Sequence, residues 1–532
     1  MNCVAWLADR AAATPHGVAV IDDATGAALT YAQLHARSNA IASGLAAEGF
    51  ARGERVLLLV RAGIPLITLT YAMFKAGVVP VLIDPGMGRA GFLACVAQLG
   101  PTGFVGIPLG HAVRLFFPRA FRSVRRHVTV GTRWFWGGPT LDGLASRHAD
   151  APAVCVDAAE EDEAAVLFTS GSTGPAKGVV YTHGIFNAQI RALRDTYGFR
   201  EGEVDCAAFP LFSLFDNALG MTSVIPEVDA SRPGRCKPEL VARALTRHKC
   251  TTAFGSPAIW RRVAPWATAT GTRFPHLERI LIAGASVPPA LVAELHRAFD
   301  GEVYTPYGAT ESLPVANIDG RTIVARTGPK TATGAGTCVG RPVGGVELRV
   351  IVVDDGPLDA ATPVPDGDVG ELAVRGPVVT RSYAALPEAT EKAKIVEADG
   401  TVWHRMGDLG YVDPEGDVWF VGRKSERIET RTTVHYPDPI EGVANALAGR
   451  RTAAVGPGVR GMQRVALVVE GEPDDALGAR LREALPMVEA VFWRPELPVD
   501  PRHNAKINRM QLAASVADRM PAQVLLLAQE RR

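Results

Sequence analysis

Short apolar runs alternate with helical patterns over the first two thirds of the chain, and this alternation restricts the fold more than any other feature. VLLLV at 56–60 and VPVLID at 79–84 enclose a helical stretch over 65–76. AAVLFTS at 164–170, TTAFGS at 251–256 and RILIAG at 279–284 repeat the theme, and a helical pattern over 291–299 follows the last. Runs this short suit strands buried on both faces, which need cover on both sides, and neighbouring helices supply it. The expected body is therefore layered α/β with largely parallel sheets. Past about residue 338 the texture changes. VELRVIVVDD, GELAVRG and DVWFVGRK read as antiparallel strands, with a turn at DPEG 413–416, and predict a small β-barrel-like part. The last hundred or so residues read as a small α+β unit. A strand ends in the charged run RKSER around 422–426, so the expected division is a large domain over 1–422 and a small mobile one over 423–532.

Charge excludes some functions. Lys+Arg and Asp+Glu are both 56 in 532 residues, so the net charge is zero, against what a polyanion-coating protein would carry. No nucleic-acid partner is expected. Only nine of the 56 basic residues are lysines, so a lysine inside a motif stands out. The seven cysteines have no CxxC spacing, which argues against a zinc module or disulfide scaffold. The most apolar region, 56–84, is interrupted by Arg61 and Lys75, which leave 13 uncharged residues between them. That is short of the roughly 20 needed for a span. The first residues lack a basic, then apolar, leader pattern. A cytoplasmic protein without a transmembrane segment is expected.

The segment 114–126, RLFFPRAFRSVRR, interleaves arginines with Leu115, Phe116, Phe117 and Phe121. It reads either as a patch for a membrane surface or acidic partner, or as a surface segment whose aromatics turn inward. Pro118 breaks its helical pattern.

The most informative stretch follows the apolar run AVLF: Thr169, Ser170, Gly171, Ser172, Thr173, Gly174, Pro175, Ala176, Lys177 and Gly178. Its three glycines permit close backbone approach, and its hydroxyls and N–H groups can surround phosphate oxygens. Lys177 adds a cation. The GK[ST] ending of a Walker A loop is absent, because Gly178 follows the lysine.

FTSGSTGPAKGV resembles the signature loop of the adenylate-forming superfamily of acyl-CoA synthetases, luciferases and peptide-synthetase adenylation domains. Further motifs of that superfamily follow in order: YGATE at 307–311, MGDLG at 406–410, Gly422-Arg423, and NAKI at 504–507. The resemblance spans nearly the whole chain. It implies attack of a carboxylate on the α-phosphorus of ATP, giving an acyl-AMP and pyrophosphate. Thr169, Ser170, Thr173 and Lys177, with the loop's Gly171, Ser172 and Gly174, would surround the phosphates. Tyr307 and Gly308 would flank adenine, with Gly284 and Ala285 as a close wall. Thr310 would contact the α-phosphate. Glu311, with Thr169, would hold Mg2+, for which oxygen donors are suited. Asp408 and Arg423 would bind the ribose. Lys506 would bridge the carboxylate and the α-phosphate as charge develops, a role that fits a point cation on a flexible stem.

Three departures narrow the expectation. The segment after the hinge, Glu429 to His435, lacks the glycines that line a thiol channel in CoA ligases. The hinge position is Ser425 where Asp or Lys is usual. In FPLFSLF, Ser213 stands where the family carries histidine. These features, with VLIDPGMG, YPDPIEGV and PVDPRHNAKI, resemble the β-lactone synthetases of bacterial long-chain olefin and β-lactone pathways. That subfamily implies activation of a 2-alkyl-3-hydroxy fatty acid and closure by its own 3-hydroxyl. Tethered attack is worth about 7–11 kcal/mol over a bimolecular one. The alternative is a long-chain acyl-CoA or acyl-AMP ligase. Phe186, Phe212, Leu214, Phe215, Leu219 and Met221 are expected either as walls of an acyl tunnel or as core. His183 and Asp216 are candidates for the base that takes the hydroxyl proton. By resemblance, a complex with a thiolase and an α/β-hydrolase is expected.

Overall fold

The computed structural model describes residues 1–169, 176–229, 231–499 and 506–521. Two α/β layers form first. A six-stranded sheet runs in the order Arg126–Thr129, Gly103–Gly106, Arg55–Leu59, Val79–Leu82, Glu163–Phe168, Gly178–Thr182. All its pairs are parallel except the last. The alternation of side chains explains its cover. Val56 and Leu58 pack with the helices Tyr31–Ala47 and Ile64–Ala76, whereas Leu57 packs on the other side with Phe92 and Val96 of the helix Arg89–Leu99.

The second sheet has seven strands, Glu302–Tyr304, Arg279–Ile282, Thr252–Gly255, Val204–Ala207, Thr222–Ile225, Val18–Asp22 and Ala28–Thr30. It is parallel but for its final pair. The expected β-α alternation is thus present. The expected helix over 65–76 is Ile64–Ala76, with a proline in its first turn where a missing N–H costs nothing.

The antiparallel texture becomes an eight-stranded sheet. Its order is Tyr307–Ala309, Ser312–Asn317, Thr337–Pro342, Val418–Arg423, Val402–Val412, Gly370–Arg375, Glu347–Ile351, with Lys394–Val396 paired to Val402–Val412. After Val418–Arg423 the chain makes a 3-10 turn, Lys424–Glu426, and the described residues beyond it build small sheets. One is a hairpin of Ile428–Glu429 and Val434–His435. The other joins Thr452–Val455, Ala466–Glu470 and Ala490–Arg494, covered by the helices Pro437–Ala448, Asp475–Ala484 and Arg509–Val516. This is the small α+β unit.

A buried ion cluster ties the antiparallel sheet to that turn. Glu371, fully buried, accepts from Arg405 Nη2 (2.6 Å) and Nε (3.1 Å) and from Lys424 Nζ (3.0 Å). Arg405 also donates to the carbonyls of Asp354 (2.5 Å), Gly356 (2.5 Å) and Lys392 (3.1 Å). Removing one partner of such a cluster leaves the other charges desolvated. Glu371→Ala is therefore expected to destabilise the chain by about 3–5 kcal/mol in urea denaturation. A loss below about 1 kcal/mol would count against the cluster as an anchor.

Candidate active site

The site lies where the parallel strands of both α/β sheets end, as in open α/β folds generally. Glu163–Phe168 stops at Thr169, and the return strand begins at Gly178. The loop between them is closed at its base. Thr169 N donates to Lys177 O (2.9 Å), and Lys177 N donates to Thr169 Oγ1 (3.0 Å). A Cβ at Gly178 would meet Phe168 and Val166 at 2.9 Å, so the return strand crosses too closely for a side chain. Ser170, Gly171, Ser172, Thr173 and Gly174 lie outside the described residues.

Opposite this base, Thr310 and Glu311 form the turn between Tyr307–Ala309 and Ser312–Asn317. A Cβ at Gly308 would meet Ser312 O at 2.6 Å, so the hairpin admits only glycine there. Tyr181 OH donates to Thr310 O (2.5 Å), and Thr380 donates to Glu311 O through N (2.9 Å) and Oγ1 (3.0 Å). Tyr383 OH donates to Glu311 Oε1 (2.7 Å), and the Lys177 ammonium lies 4.9 Å from the Tyr383 ring centroid. Burial, reinforced by the Glu311 charge, raises the Tyr383 phenol, so it stays a donor. Behind it, buried Lys394 donates to Thr380 O; burial lowers this lysine to about 7 although Glu311 opposes the shift. Thr169 and Glu311 line the same cavity and are hard oxygen donors that fit Mg2+, a metal that takes few protein ligands and the rest from phosphate and water.

The ribose candidates also meet. Asp408 and Arg423 are registered partners on neighbouring strands. Arg423 Nη1 donates to Asp408 Oδ1 (2.5 Å) and to Met406 O (3.2 Å), and Tyr307 OH donates to Asp408 Oδ2 (2.6 Å). The Asp408 charge raises the Arg423 guanidinium; burial and then Asp408 raise the Tyr307 phenol. A cavity of about 460 Å3 is lined by Gly284, Ala285, Tyr307, Gly308, Asp408, Arg423 and Lys506. Gly284 has φ +103°, a backbone conformation that other residues rarely take.

A second cavity, of about 770 Å3, has a polar end formed by Thr169, Lys177, Thr310, Glu311 and Lys506. Its other walls include Phe74, Leu82, Phe186, Leu214, Phe215 and Phe254. Gly284, Gly308, Arg423 and Lys506 line both cavities, so the two are adjacent. Lys506 reaches them from the small unit. Its segment returns along 498–499, through an antiparallel bridge of Ile507 with Val499 and a bond from Asn508 N to Pro498 O (2.8 Å). Three residues on, Arg509 donates to Glu441 Oε2 (2.7 Å) and Glu426 Oε2 (3.0 Å), which fixes this segment beside the turn Lys424–Glu426.

Not every expected wall is one. Phe186 and Phe215 line the larger cavity, but Phe212, Leu219 and Met221 do not. They pack behind it with Ile190, Tyr197 and Leu281, and Phe212 stacks on Phe254 with centroids 4.0 Å apart. Neither candidate base lines it. His183 is buried, accepts from Cys3 N (3.3 Å), packs edge-on to Phe74, and is lowered by burial to about 4. Asp216 is buried beside Asp205. Burial raises both carboxyls, Asp205 to about 7, and the Asp205 charge further disfavours ionisation of Asp216. Ser213, at the family's histidine position, accepts from Ser223 Oγ (2.7 Å) in the core. The glycine-free segment forms a hairpin in which Thr430 Oγ1 accepts from Thr433 N (3.1 Å) and donates to Thr433 O (2.8 Å). Sequence reasoning missed Tyr383, Tyr181, Lys394 and His404, a buried histidine of the larger cavity's wall. The scarcity of lysine was the one signal available, for Lys394.

Comparison with known proteins fits this geometry. A family model described as AMP-binding enzyme matches residues 7–384. Two relatives named olefin beta-lactone synthetase, from Stenotrophomonas maltophilia and Xanthomonas campestris pv. campestris, are each 45% identical over 91% of this chain and 90% of their own. Among solved structures, the amide bond synthetase from Marinactinospora thermotolerans shares the fold, with a TM-score of 0.81 at 24% identity, covering 96% of this chain and 99% of that one.

The buried carboxyl pair generates a prediction. In the folded chain Asp205 and Asp216 hold protons that the unfolded chain releases above about pH 4. Stability attributable to them is complete below that pH and is lost as pH rises toward about 7 and beyond. Asp216→Asn is expected to flatten this fall by up to about 1.4 kcal/mol per pH unit, read from denaturation midpoints between about pH 5 and 8. An unchanged slope would refute the raised values.

Proposed function

This chain belongs to the AMP-binding enzyme family of adenylate-forming ligases, and on that footing we propose that it activates a long-chain 2-alkyl-3-hydroxy fatty acid and closes it to a β-lactone. The observation that carries the reading is the continuity of the larger cavity. Lys177, Thr310, Glu311 and Lys506 bound the same space as Phe186, Leu214 and Phe215. A carboxylate at the polar end would have its alkyl chain among aromatic and aliphatic walls, out of water.

In the first step a carboxylate oxygen attacks the α-phosphorus of ATP. The acyl–phosphate bond forms, the α–β phosphoanhydride breaks, and pyrophosphate leaves. Two anions must approach, so preorganised donors carry the catalysis. Lys177 and the Thr169 hydroxyl serve the outer phosphates, Thr310 the α-phosphate, and Lys506 the charge shared between carboxylate and phosphate. Glu311, held by Tyr383, and Thr169 would hold Mg2+, which would supply neutralisation of phosphate charge. Asp408, steadied by Arg423, accepts from the ribose hydroxyls, and Tyr307 with Gly284 and Ala285 bounds the base. In the second step the substrate's 3-hydroxyl oxygen attacks its own acyl carbon, AMP leaves, and the hydroxyl proton is released. No second substrate has to enter. The closed Thr430–Thr433 turn, where CoA ligases are glycine-rich, supports a reaction without a thiol arm, as do the names of the two 45% relatives. Seven unpaired cysteines fit a reducing compartment, the cytoplasm. Among the described residues no helix is long and apolar enough to cross a membrane.

The test is an incubation with ATP, Mg2+ and a 2-alkyl-3-hydroxy acid, with and without CoA. A β-lactone formed without CoA supports the reading, whereas product formed only with CoA assigns the chain to the acyl-CoA ligases. Lys506→Ala is expected to lower ATP–pyrophosphate exchange by roughly 10²–10³-fold, by analogy with loss of one preorganised oxyanion donor. Unchanged exchange would remove Lys506 from the mechanism.

A further inference from the structure

The chain carries no net charge, yet residues 85–141 contain no Asp or Glu and seven arginines. This segment also carries the exposed aromatic side chains Phe116, Trp134 and Phe135, which are 80%, 53% and 83% exposed. They come from two elements that touch. Phe116 ends the helix Pro108–Phe116, and Trp134 and Phe135 lie in the loop after the edge strand Arg126–Thr129. His111 of the helix stacks on Trp136 of the loop, 4.9 Å between centroids and 7° between planes. Inward residues hold the segment down: Phe121 packs edge-on to Phe104 at 5.8 Å, and Arg89 covers Phe117 at 5.7 Å. The segment 114–126 thus divides, with Phe121 turned into the core and Leu115 and Phe116 turned out. Arg119, Arg122, Arg125 and Arg133 are exposed around these tips.

We propose that this face seats the protein peripherally on an anionic lipid surface. Aromatic rings at projecting tips suit the boundary between headgroups and acyl chains, and guanidinium groups beside them suit lipid phosphates, which they bind bidentately. A chain with no net charge has no general attraction to polyanions, so a local cluster must meet a dense anionic plane. An acidic protein surface would answer the arginines but would leave Phe116 and Phe135 without an apolar layer to enter. The proposal stands apart from the reaction assigned above, because it rests on surface chemistry alone.

The experiment is co-sedimentation of the full chain, without substrates, with phosphatidylcholine vesicles and with vesicles containing about 30% phosphatidylglycerol. Binding to the anionic vesicles alone is expected, weakened at least about tenfold between about 0.1 and 0.5 M NaCl as screening shortens the interaction. Two triple variants, Phe116→Ser/Trp134→Ser/Phe135→Ser and Arg119→Glu/Arg122→Glu/Arg125→Glu, are each expected to lose about 100-fold in partitioning. Their unfolding midpoints should match that of the unmodified chain, since every altered side chain is exposed. Failure of the unmodified protein to sediment with anionic vesicles would overturn the proposal, as would variants that sediment equally well. Equal binding to soluble polyglutamate, with the aromatic variant unaffected, would also overturn it in favour of an acidic protein partner.

Discussion

The ion pair between Asp408 and Arg423 is the constraint through which the rest of the site is organised. The two residues face each other on adjacent strands, and Arg423 is the last residue of its strand before the turn Lys424–Glu426. One guanidinium therefore fixes the orientation of a buried carboxylate and also marks where the chain leaves the large body. Tyr307, from a different strand of the same sheet, takes the other carboxylate oxygen. Three strands are thus committed to holding one acceptor. Loss of either charge would leave its partner desolvated, which is costlier than the pair itself is stabilising. The wall of the smaller cavity and the point where the chain enters the Lys424–Glu426 turn are thus held by the same few atoms.

The same economy appears one residue further along. Lys424 pairs with Glu371, and Glu371 holds Arg405, whose guanidinium collects three loop carbonyls. On the other side of the turn, Glu426 receives Arg509, which lies three residues past Lys506. Residues 423, 424 and 426 therefore each make an ionic contact with a different element. A short 3-10 turn with little apolar burial of its own is held in this arrangement by charges.

Much of the body was legible because its strands are buried on both faces and so read as plain apolar runs. The run at 56–60 and the strand Arg55–Leu59 differ by one residue at each end. The longest strand, Val402–Val412, was not recognised, although MGDLG within it was. Its buried His404, Arg405 and Asp408 interrupt any apolar alternation, because this sheet buries polar groups that are satisfied across strands. The cavity residues divide in the same way. Thr310, Glu311, Asp408, Arg423 and Lys506 sit in ordered motifs and converge in space. Tyr383 comes from RSYAAL, which has no chemical signature, and gains its position through the bond from Ala384 N to Gly178 O (2.7 Å). Phe186 and Phe212 look alike in sequence, yet only the first reaches the cavity. Which face of a short helix meets a void is decided by the neighbouring sheet, and the local text does not contain it.

The distribution of lysine carries the argument one step further. Arginine is this chain's default cation, and it serves the surface pairs and those buried sites, such as that of Arg405, where many acceptors converge. Of the nine lysines, Lys177, Lys392, Lys424 and Lys506 line the larger cavity, and Lys75 and Lys394 are buried. Lys75 satisfies its three protons on Ser38 Oγ (2.7 Å), Asn39 Oδ1 (2.6 Å) and His35 O (3.0 Å). A guanidinium has five donors in a rigid plane and could not be satisfied in so small a space. Nor could it give up its proton, whereas burial brings both Lys75 and Lys394 to about 7. A compact ammonium thus survives where desolvation is severe and acceptors are few. The same properties suit a cation that must approach a phosphate and a carboxylate together, so the positions where this chain departs from arginine coincide with those where size and hydration, rather than charge, select the residue.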